Sequence, residues 1–260
     1  MRKRVLSSVL AFALLPAAAT AQGGVVPSQC LTASAVSSLT NPFALLVVNS
    51  TCVDLSSFIT ATTPGKIWSL NADLDVASLA HVRVTATFNA DPFVTFGATT
   101  TNAIAGPITY GFLFGTPITP GFYNTATSTG GVTVTNGASG TATFSAPGIY
   151  PTYISGYGTL GASATNLGVD LGTAPCTASG TPFTVTNTCA QGTTSNTFPS
   201  AFYDNLEALL TYNQDDLASV ASWSGAVTLS ATSVPEPASL ALLATGLALV
   251  GVARSRRRAR

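Results

Sequence analysis

Short runs in which apolar and polar residues alternate most constrain what this chain can fold into. In HVRVTATF (81–88) every second residue is apolar, namely Val82, Val84, Ala86 and Phe88. A period of two residues is that of a half-buried β-strand, because successive side chains point to opposite faces of a sheet. The alternation therefore predicts strands with one apolar and one polar face.

Similar runs recur along the chain, with glycine and proline between them. Alternating runs are GVTVT (131–135), TATFS (141–145), FTVT (183–186) and AVTLSAT (226–232), and more apolar runs are ALLVV (44–48) and ITYGFLF (108–114). Turns are predicted at Thr63-Pro64-Gly65, Ala90-Asp91-Pro92, Thr119-Pro120-Gly121, Asn136-Gly137 and Ala146-Pro147-Gly148. Many short strands joined by such turns predict an all-β fold, a single β-sandwich or jelly-roll-like domain over residues 22–233.

The segment FYDNLEALLTY (202–212) fits two structures. Phe202, Leu206, Leu209 and Leu210 are spaced as on one side of an amphipathic helix. A strand from Leu206 to Tyr212 fits the sequence about as well.

The beginning of the chain has the pattern of a secretory signal. MRKR precedes the apolar run VLSSVLAFALLPAAA, and the small residues Ala19-Thr20-Ala21 precede Gln22. This order predicts a signal peptide at residues 1–21, with an uncleaved N-terminal membrane anchor as the alternative.

If the chain is exported, its four cysteines are expected to form disulfides, because disulfides form in oxidising compartments. Cys30, Cys52, Cys176 and Cys189 permit three connectivities. The short loops favour Cys30–Cys52 and Cys176–Cys189. A zinc site is the weaker alternative, since C-x-x-C spacing is absent and the chain has one histidine.

The body of the chain is acidic although the whole chain is formally neutral. Residues 22–234 hold nine acidic residues against Lys66 and Arg83, a net charge of about −7. Nucleic acids and anionic lipids are bound mainly by lysine and arginine. The charge therefore argues against nucleic acid as a partner.

The sequence contains few candidates for catalysis, metal binding or a cofactor. His81 is expected on the polar face of its strand beside Arg83, and no hydrolase, zinc-protease or phosphate-loop motif accompanies it. Two acidic groupings are visible: Asp73 with Asp75 on one strand face, and Asp204, Glu207, Asp215 and Asp216 as oxygen ligands for calcium. Solvated loop acids are the favoured interpretation, so no catalytic residue, metal or cofactor is predicted.

Three tyrosines are the best candidates for contact with a glycan. Tyr150, Tyr153 and Tyr157 lie in IYPTYISGY, and exposed tyrosine rings can stack on sugars. The same rings suit a β-sandwich core, where the hydroxyl needs only one partner, and core packing is favoured. Trp68 and Trp223 are open to the same two interpretations.

The end of the chain combines three features. Pro235-Glu236-Pro237 is followed by an uncharged, largely apolar run at 238–253 and then by Arg254, Arg256, Arg257, Arg258 and Arg260. As a helix the run spans about 24 Å, short of a bilayer core of about 30 Å, and arginine side chains can reach the interface. We predict a transmembrane helix at 238–253 and a cytoplasmic basic tail at 254–260, with the body outside.

This tail, residues 234–260, resembles the PEP-CTERM sorting signal of bacterial surface proteins. The matching residues are Val234-Pro235-Glu236-Pro237, Ala238-Ser239-Leu240, the apolar span and the basic cluster. The resemblance implies recognition of Pro235, Glu236 and Pro237 by an exosortase, a membrane-embedded processing enzyme. It also implies transient anchoring in the inner membrane of a Gram-negative cell, cleavage near Pro-Glu-Pro, and delivery to the surface. A permanent single-span anchor is the alternative.

The same resemblance implies a role for the exported protein. Members of the family often accompany exopolysaccharide and biofilm genes, so a non-enzymatic surface or extracellular-matrix protein is expected, with exopolysaccharide as a partner. The alternatives are a carbohydrate-binding adhesin that uses the three tyrosines or a tryptophan, and a secreted hydrolase that uses a pair of carboxylates.

Overall fold

The computed structural model describes residues 40–148, 152–161 and 163–231. These residues form strands and one short 3₁₀ turn, Ser56–Phe58, which confirms the predicted all-β class. The strands are β1 (Phe43–Val48), β2 (Thr51–Asp54), β3 (Ile59–Thr63), β4 (Ile67–Val76), β5 (Ala80–Asn89), β6 (Phe93–Asn102), β7 (Ile108–Thr135), β8 (Thr141–Ser145), β9 (Ile154–Leu160), β10 (Ser163–Asn166), β11 (Cys176–Ser179), β12 (Thr186–Gln214) and β13 (Val220–Ser230).

All of these strands belong to one antiparallel sheet that folds over on itself. The long strands β7 and β12 lie side by side and take part in two layers. In layer 1, the first part of β7 and the last part of β12 lie between β1 and β9, with β2 and β10 outside them. In layer 2, the last part of β7 lies between β12 and β13, and β6, β5, β4 and β3 follow in that order.

The two long strands pass between the layers where their pairing is irregular. The register shifts between Thr197 and Ala201 and again between Tyr203 and Asn205. Pro199 lies inside the first of these shifts. Proline has no N–H to donate to a neighbouring strand, so it is tolerated where the ladder is interrupted, and such bulges bend a strand.

Aromatic rings from the two layers meet in the core. Phe114 of layer 1 stacks on Phe96 of layer 2 with the ring centroids 5.0 Å apart. Phe144 on β8 stacks on Trp223 of β13 at 5.3 Å. The layers therefore face each other across one hydrophobic core, which is consistent with the predicted β-sandwich.

A buried polar network also joins the layers. Thr100 Oγ1 on β6 donates to Gln214 Oε1 on β12 at 2.6 Å, and the Tyr110 hydroxyl on β7 donates to Asn102 Oδ1 at 2.8 Å. The side-chain amide of Asn102 donates to the Gln214 carbonyl at 2.9 Å. Buried polar groups need such partners, so the network fixes how β6 packs against β7 and β12.

Several sequence predictions are confirmed at the level of single strands. In β5 the apolar positions are buried and the polar ones between them are exposed or half-buried, and all six residues of β1 are buried. The tripeptides at 63–65 and 90–92 begin or form the turns that end β3 and β5. The ambiguous segment 202–212 is a strand, because it lies within β12 between β7 and β9.

Other predictions are wrong because strands continue through predicted breaks. Thr119-Pro120-Gly121 is not a turn: β7 runs through it, with Gly121 opposite Tyr203 of β12. The runs 108–114 and 131–135 are therefore parts of one strand. Of FTVT (183–186), only Thr186 lies in a strand, since the preceding residues form the turn before β12.

The structure joins Cys176 and Cys189 in the predicted disulfide, which ties β11 to β12. Cys52 is also disulfide-bonded, and its predicted partner Cys30 lies outside the described residues. The predicted signal peptide and the sorting tail lie outside them as well. In the described ranges no helix has the length and apolar character needed to cross a membrane.

Removing the Cys176–Cys189 disulfide should destabilise the domain. It closes a loop with a sequence separation of 13, for which the chain-entropy model gives about 3 kcal/mol. We expect the double variant Cys176→Ala/Cys189→Ala to melt roughly 6–12 °C below the unaltered protein in a calorimetric scan. Ser179→Ala, an exposed change on the same strand, is the control. Equal melting temperatures for the double variant and this control would contradict the assigned role.

Candidate functional site

The outward side of layer 2 carries hydroxyl groups over most of its area. Because side chains alternate along each strand, the polar positions of six neighbouring strands share this side. We call this surface the hydroxyl face. Its members are Ser69, Thr85, Thr87, Thr95, Thr99, Thr101, Thr127, Thr129, Thr133, Thr135, Thr186, Thr188, Thr193, Ser195, Ser222, Ser224 and Thr228, all exposed or half-buried.

Strand register places these hydroxyls in rows that cross the sheet. One row runs through Thr99, Ser222, Thr133 and Thr188 on four neighbouring strands. Thr99 hydrogen-bonds Ser222 at 3.0 Å, and Thr133 hydrogen-bonds Thr188 at 3.1 Å. Rows of this kind repeat about every 6.7 Å along the strands and about every 4.8 Å across them. The face is therefore a regular array of paired hydroxyls.

A groove crosses the middle of the hydroxyl face where side chains are small. Gly97, Ser224 and Gly131 are aligned on three neighbouring strands and form its floor. Two adjoining spaces of about 590 and 460 Å³ share Ser224. Thr133 and Ser222 line one side of the larger space, and Thr129 lines the other. An extended ligand lying along this groove would meet hydroxyls on both sides.

Charged side chains lie at one edge of the same surface. His81 Nε2 is 3.0 Å from Asp73 Oδ1, and His81 Nδ1 is 2.9 Å from Asp75 Oδ1. Arg83 Nε is 3.7 Å from Asp73 Oδ2. The two aspartates thus share one strand face, as predicted, and His81 contacts both of them in a solvent-exposed position. The group is an exposed ionic cluster with two carboxylates for two basic side chains.

The alternative grouping of Asp204, Glu207, Asp215 and Asp216 around a cation is not formed. Asp216 accepts hydrogen bonds from the backbone N–H groups of Gly137 at 2.9 Å and Ser139 at 3.0 Å, and so fixes the Asn136-Gly137 turn. Glu207 lies eight residues before Asp215 on an extended strand, a separation of about 26 Å. In the described ranges no three His, Cys, Asp or Glu side chains come together as they would around a metal ion.

The alternative of an exposed aromatic platform for a glycan is not found in the described part of the chain. Tyr153 is fully buried beside Phe144, and its hydroxyl donates to the Ala174 carbonyl at 2.9 Å. Tyr157, Trp68 and Trp223 are also buried, and Tyr150 lies outside the described residues. Buried rings cannot stack on a sugar: Tyr153, Trp68 and Trp223 pack in the core between the layers, and Tyr157 lies in a separate buried cluster.

Glu207 is the one strongly perturbed acid among the described residues. It lies on the outward side of layer 1, with Tyr157 opposite it on β9 and Gly115 opposite it on β7. The ring of Phe43 occupies the space above Gly115 where a side chain would otherwise be. Glu207 is 4% exposed. Burial raises the pKa of its carboxyl from 4.5 to about 7.

Sequence reasoning missed both the hydroxyl face and Glu207 as a buried acid. The threonines were visible in VTATF and GVTVT, but the rows exist only because distant strands become neighbours. Glu207 lies in the segment that fits either helix or strand, and neither pattern marks its position as buried.

The raised pKa of Glu207 makes stability depend on pH. The carboxyl stays protonated in the folded protein up to about pH 7, whereas in the unfolded chain it ionises above about pH 4.5. The free energy of unfolding should therefore fall as pH rises from about 4.5 through 7, by as much as about 3 kcal/mol. Glu207→Gln should remove this loss, as measured by urea denaturation between pH 4.5 and 8.

Asp91→Asn, which removes an exposed carboxylate at the turn after β5, is the matched control and should keep the slope of the unaltered protein. Parallel pH profiles for Glu207→Gln and the unaltered protein would show that Glu207 is not the titrating group.

Comparison with known proteins identifies the tail and leaves the body unassigned. No curated protein sequence matches the chain. The solved structure of TmCBM61 in complex with beta-1,4-galactotriose aligns at 6% identity, covering 57% of this chain and 88% of that one, with a TM-score of 0.21. A TM-score this low does not establish a shared fold. Residues 233–258 match the family model of the PEP-CTERM protein-sorting motif, so the chain carries this motif at its C-terminal end, as the resemblance of the tail implied.

Proposed function

We propose that the chain is a non-enzymatic protein of the cell surface or extracellular matrix whose β-domain binds a neutral exopolysaccharide on its hydroxyl face. The PEP-CTERM motif implies an exported exosortase substrate that is anchored transiently in the membrane before processing. The signal peptide, the Gram-negative host, the final location and the role in a biofilm belong to the proposal.

The hydroxyl face is the observation that carries this function. Each threonine or serine hydroxyl donates one hydrogen bond and accepts two, which matches the donors and acceptors of a sugar hydroxyl. Threonine also presents a methyl group, which can contact the C–H surface of a sugar ring. The groove above Gly97, Ser224 and Gly131 offers an extended chain such contacts from both sides.

Charge selects a neutral polymer over an acidic one. Residues 22–234 carry a net charge of about −7. Like charges repel, so a uronate- or sulfate-bearing chain would approach unfavourably. The face itself is made of uncharged groups.

Many weak contacts fit a polymer better than a short sugar. A solvent-exposed hydrogen bond contributes on the order of 1 kcal/mol net. Successive sugar units on one chain bind with a high effective concentration, so affinity should rise steeply with chain length. An adhesin that binds a terminal sugar in a deep site would not show this dependence of affinity on chain length.

Filling the groove should abolish binding without harming the fold. A Cβ on Gly131 would meet only the Cys189 carbonyl oxygen at 3.6 Å and Ala190 Cα at 3.8 Å, which are ordinary contacts. Gly131→Ile should therefore fold normally while its side chain occupies the groove. We expect the unaltered protein to be retarded in native gels that contain dextran, galactan or mannan, and the variant to be retarded much less.

Gly121→Ile is the matched control, since a Cβ there also meets only ordinary contacts, the nearest at 3.7 Å, and Gly121 lies outside the hydroxyl face. It should bind as the unaltered protein does. An unaltered protein that is retarded by none of the three polymers would overturn the polysaccharide proposal and leave the sorting motif untouched.

The sorting role has its own test. Replacing Pro235, Glu236 and Pro237 with alanine should prevent recognition by the exosortase, so full-length protein should accumulate in the membrane fraction. Immunoblotting of fractionated native host cells measures this, with Ser179→Ala in the body as the control. Normal processing and release of the triple variant would refute the role of Pro-Glu-Pro.

A further inference from the structure

The outward side of layer 1 is apolar and buried, unlike the hydroxyl face. We call this surface the apolar outer face. Its members are Phe43, Leu45, Val47, Leu113, Tyr157, Ala164 and Leu209, each 4–9% exposed. All of them come from strands of layer 1, and no described residue of layer 2 contributes to the cluster. A buried cluster on the outside of a sheet requires a cover that the described residues of the opposite layer do not supply.

The polar groups on this face indicate what kind of cover it needs. Asn205 Oδ1 is buried without a hydrogen-bond partner within the described ranges, and Glu207 is buried beside it on the same strand. The side-chain oxygen of Asn205 and the carbonyl oxygen of the protonated Glu207 carboxyl both accept hydrogen bonds, and a buried acceptor without a donor is unfavourable. A peptide segment with apolar side chains and backbone N–H groups would cover the leucines and supply donors to these oxygens.

The disulfide bond of Cys52 indicates where such a segment is attached to the domain. Cys52 on β2 lies opposite Val47 on β1, so both side chains are on the same side of the sheet, beside the apolar outer face. Cys52 is disulfide-bonded, and Cys176 is bonded to Cys189. Of the four cysteines in the chain, this leaves Cys30 as the intramolecular partner of Cys52.

We propose that residues 22–39 of the same chain dock on the apolar outer face and are held there by a Cys30–Cys52 disulfide. This segment contains no charged residue, and Val25, Val26, Leu31, Val36 and Leu39 supply apolar side chains. Its composition therefore matches the face that it would cover.

The length of the connection fits this path. Residues 31–42 link Cys30 to the start of β1, and twelve extended residues reach at most about 40 Å. The distance from β1 across β7 and β12 to β9 is three strand spacings, about 14 Å. The segment can therefore cross the face and return to Phe43. The apolar run at 238–253 follows β13, which belongs to layer 2, so it starts from the other layer.

Hydroxyl-radical footprinting of the full chain with mass spectrometry tests the proposal. The variant Val25→Ser/Val26→Ser/Leu31→Ser/Val36→Ser should weaken docking, and oxidation of Phe43, Tyr157 and Leu209 should rise several-fold. The control variant Ser28→Ala/Thr32→Ala/Ser34→Ala/Ser37→Ala changes the polar side chains of the same segment and should leave oxidation unchanged. Unchanged low oxidation of the core residues Phe112 and Trp223 verifies that the first variant is still folded.

Three results would overturn the proposal. Oxidation that stays low in the serine variant means that this segment is not the cover. Oxidation of the unaltered protein that rises on dilution assigns the face to a second copy. Oxidation that rises only after removal of residues 238–260 means that the tail covers the apolar outer face.

Discussion

The antiparallel pairing of β7 with β12 is the interaction on which the rest of the structure depends. Each strand belongs to layer 1 at one end and to layer 2 at the other, so their shared ladder holds both layers in one sheet. Their ladder runs through each layer and resumes after the irregular stretch at the change of layer, so the two layers are joined without a connecting loop. Where Pro199 interrupts the ladder the strands bend, and this bend brings Phe114 against Phe96.

This folding of one sheet gives two outer surfaces with opposite chemistry. Strands of layer 2 alternate, so valine and phenylalanine point to the core while threonine and serine point outward. In layer 1, β1 is apolar on both sides, with six buried residues. Strands buried on both faces have continuous apolar sequences. The difference between FALLVV and HVRVTATF therefore already encodes which layer needs a cover.

Local patterns in the sequence predict individual strands well and their lengths poorly. The faces of β5 and the buried β1 follow from side-chain period alone, because burial of alternate or successive residues needs no knowledge of the neighbours. The continuation of β7 through Pro120-Gly121 does not follow, because those residues favour a turn and only pairing with β12 keeps the strand extended. Segment 202–212 is ambiguous for a related reason: Leu206, Leu209 and Leu210 are buried on both sides of layer 1, so the apolar residues lose the alternation that identifies a strand.

The hydroxyl face could not be predicted from the sequence for a different reason. A threonine on one strand predicts an outward hydroxyl, but the row through Thr99, Ser222, Thr133 and Thr188 depends on a strand order that joins residues far apart in the sequence. The tyrosines show the same limit, since Tyr153 and Tyr157 are close in IYPTYISGY, but Tyr153 lies in the core between the layers and Tyr157 in the buried cluster on the outward side of layer 1.

The composition of the hydroxyl face also determines how such a surface can bind. Charged surfaces attract partners over a distance of about 10 Å and lose that attraction as salt increases. The hydroxyl face has its charges only at one edge, at Asp73, Asp75, His81 and Arg83, and uncharged donors and acceptors elsewhere. Contacts made by those uncharged groups are short-range, individually weak and little affected by ionic strength. A neutral polymer that is held by many of them at once would remain bound in the variable salt outside a cell, where an electrostatic contact would not.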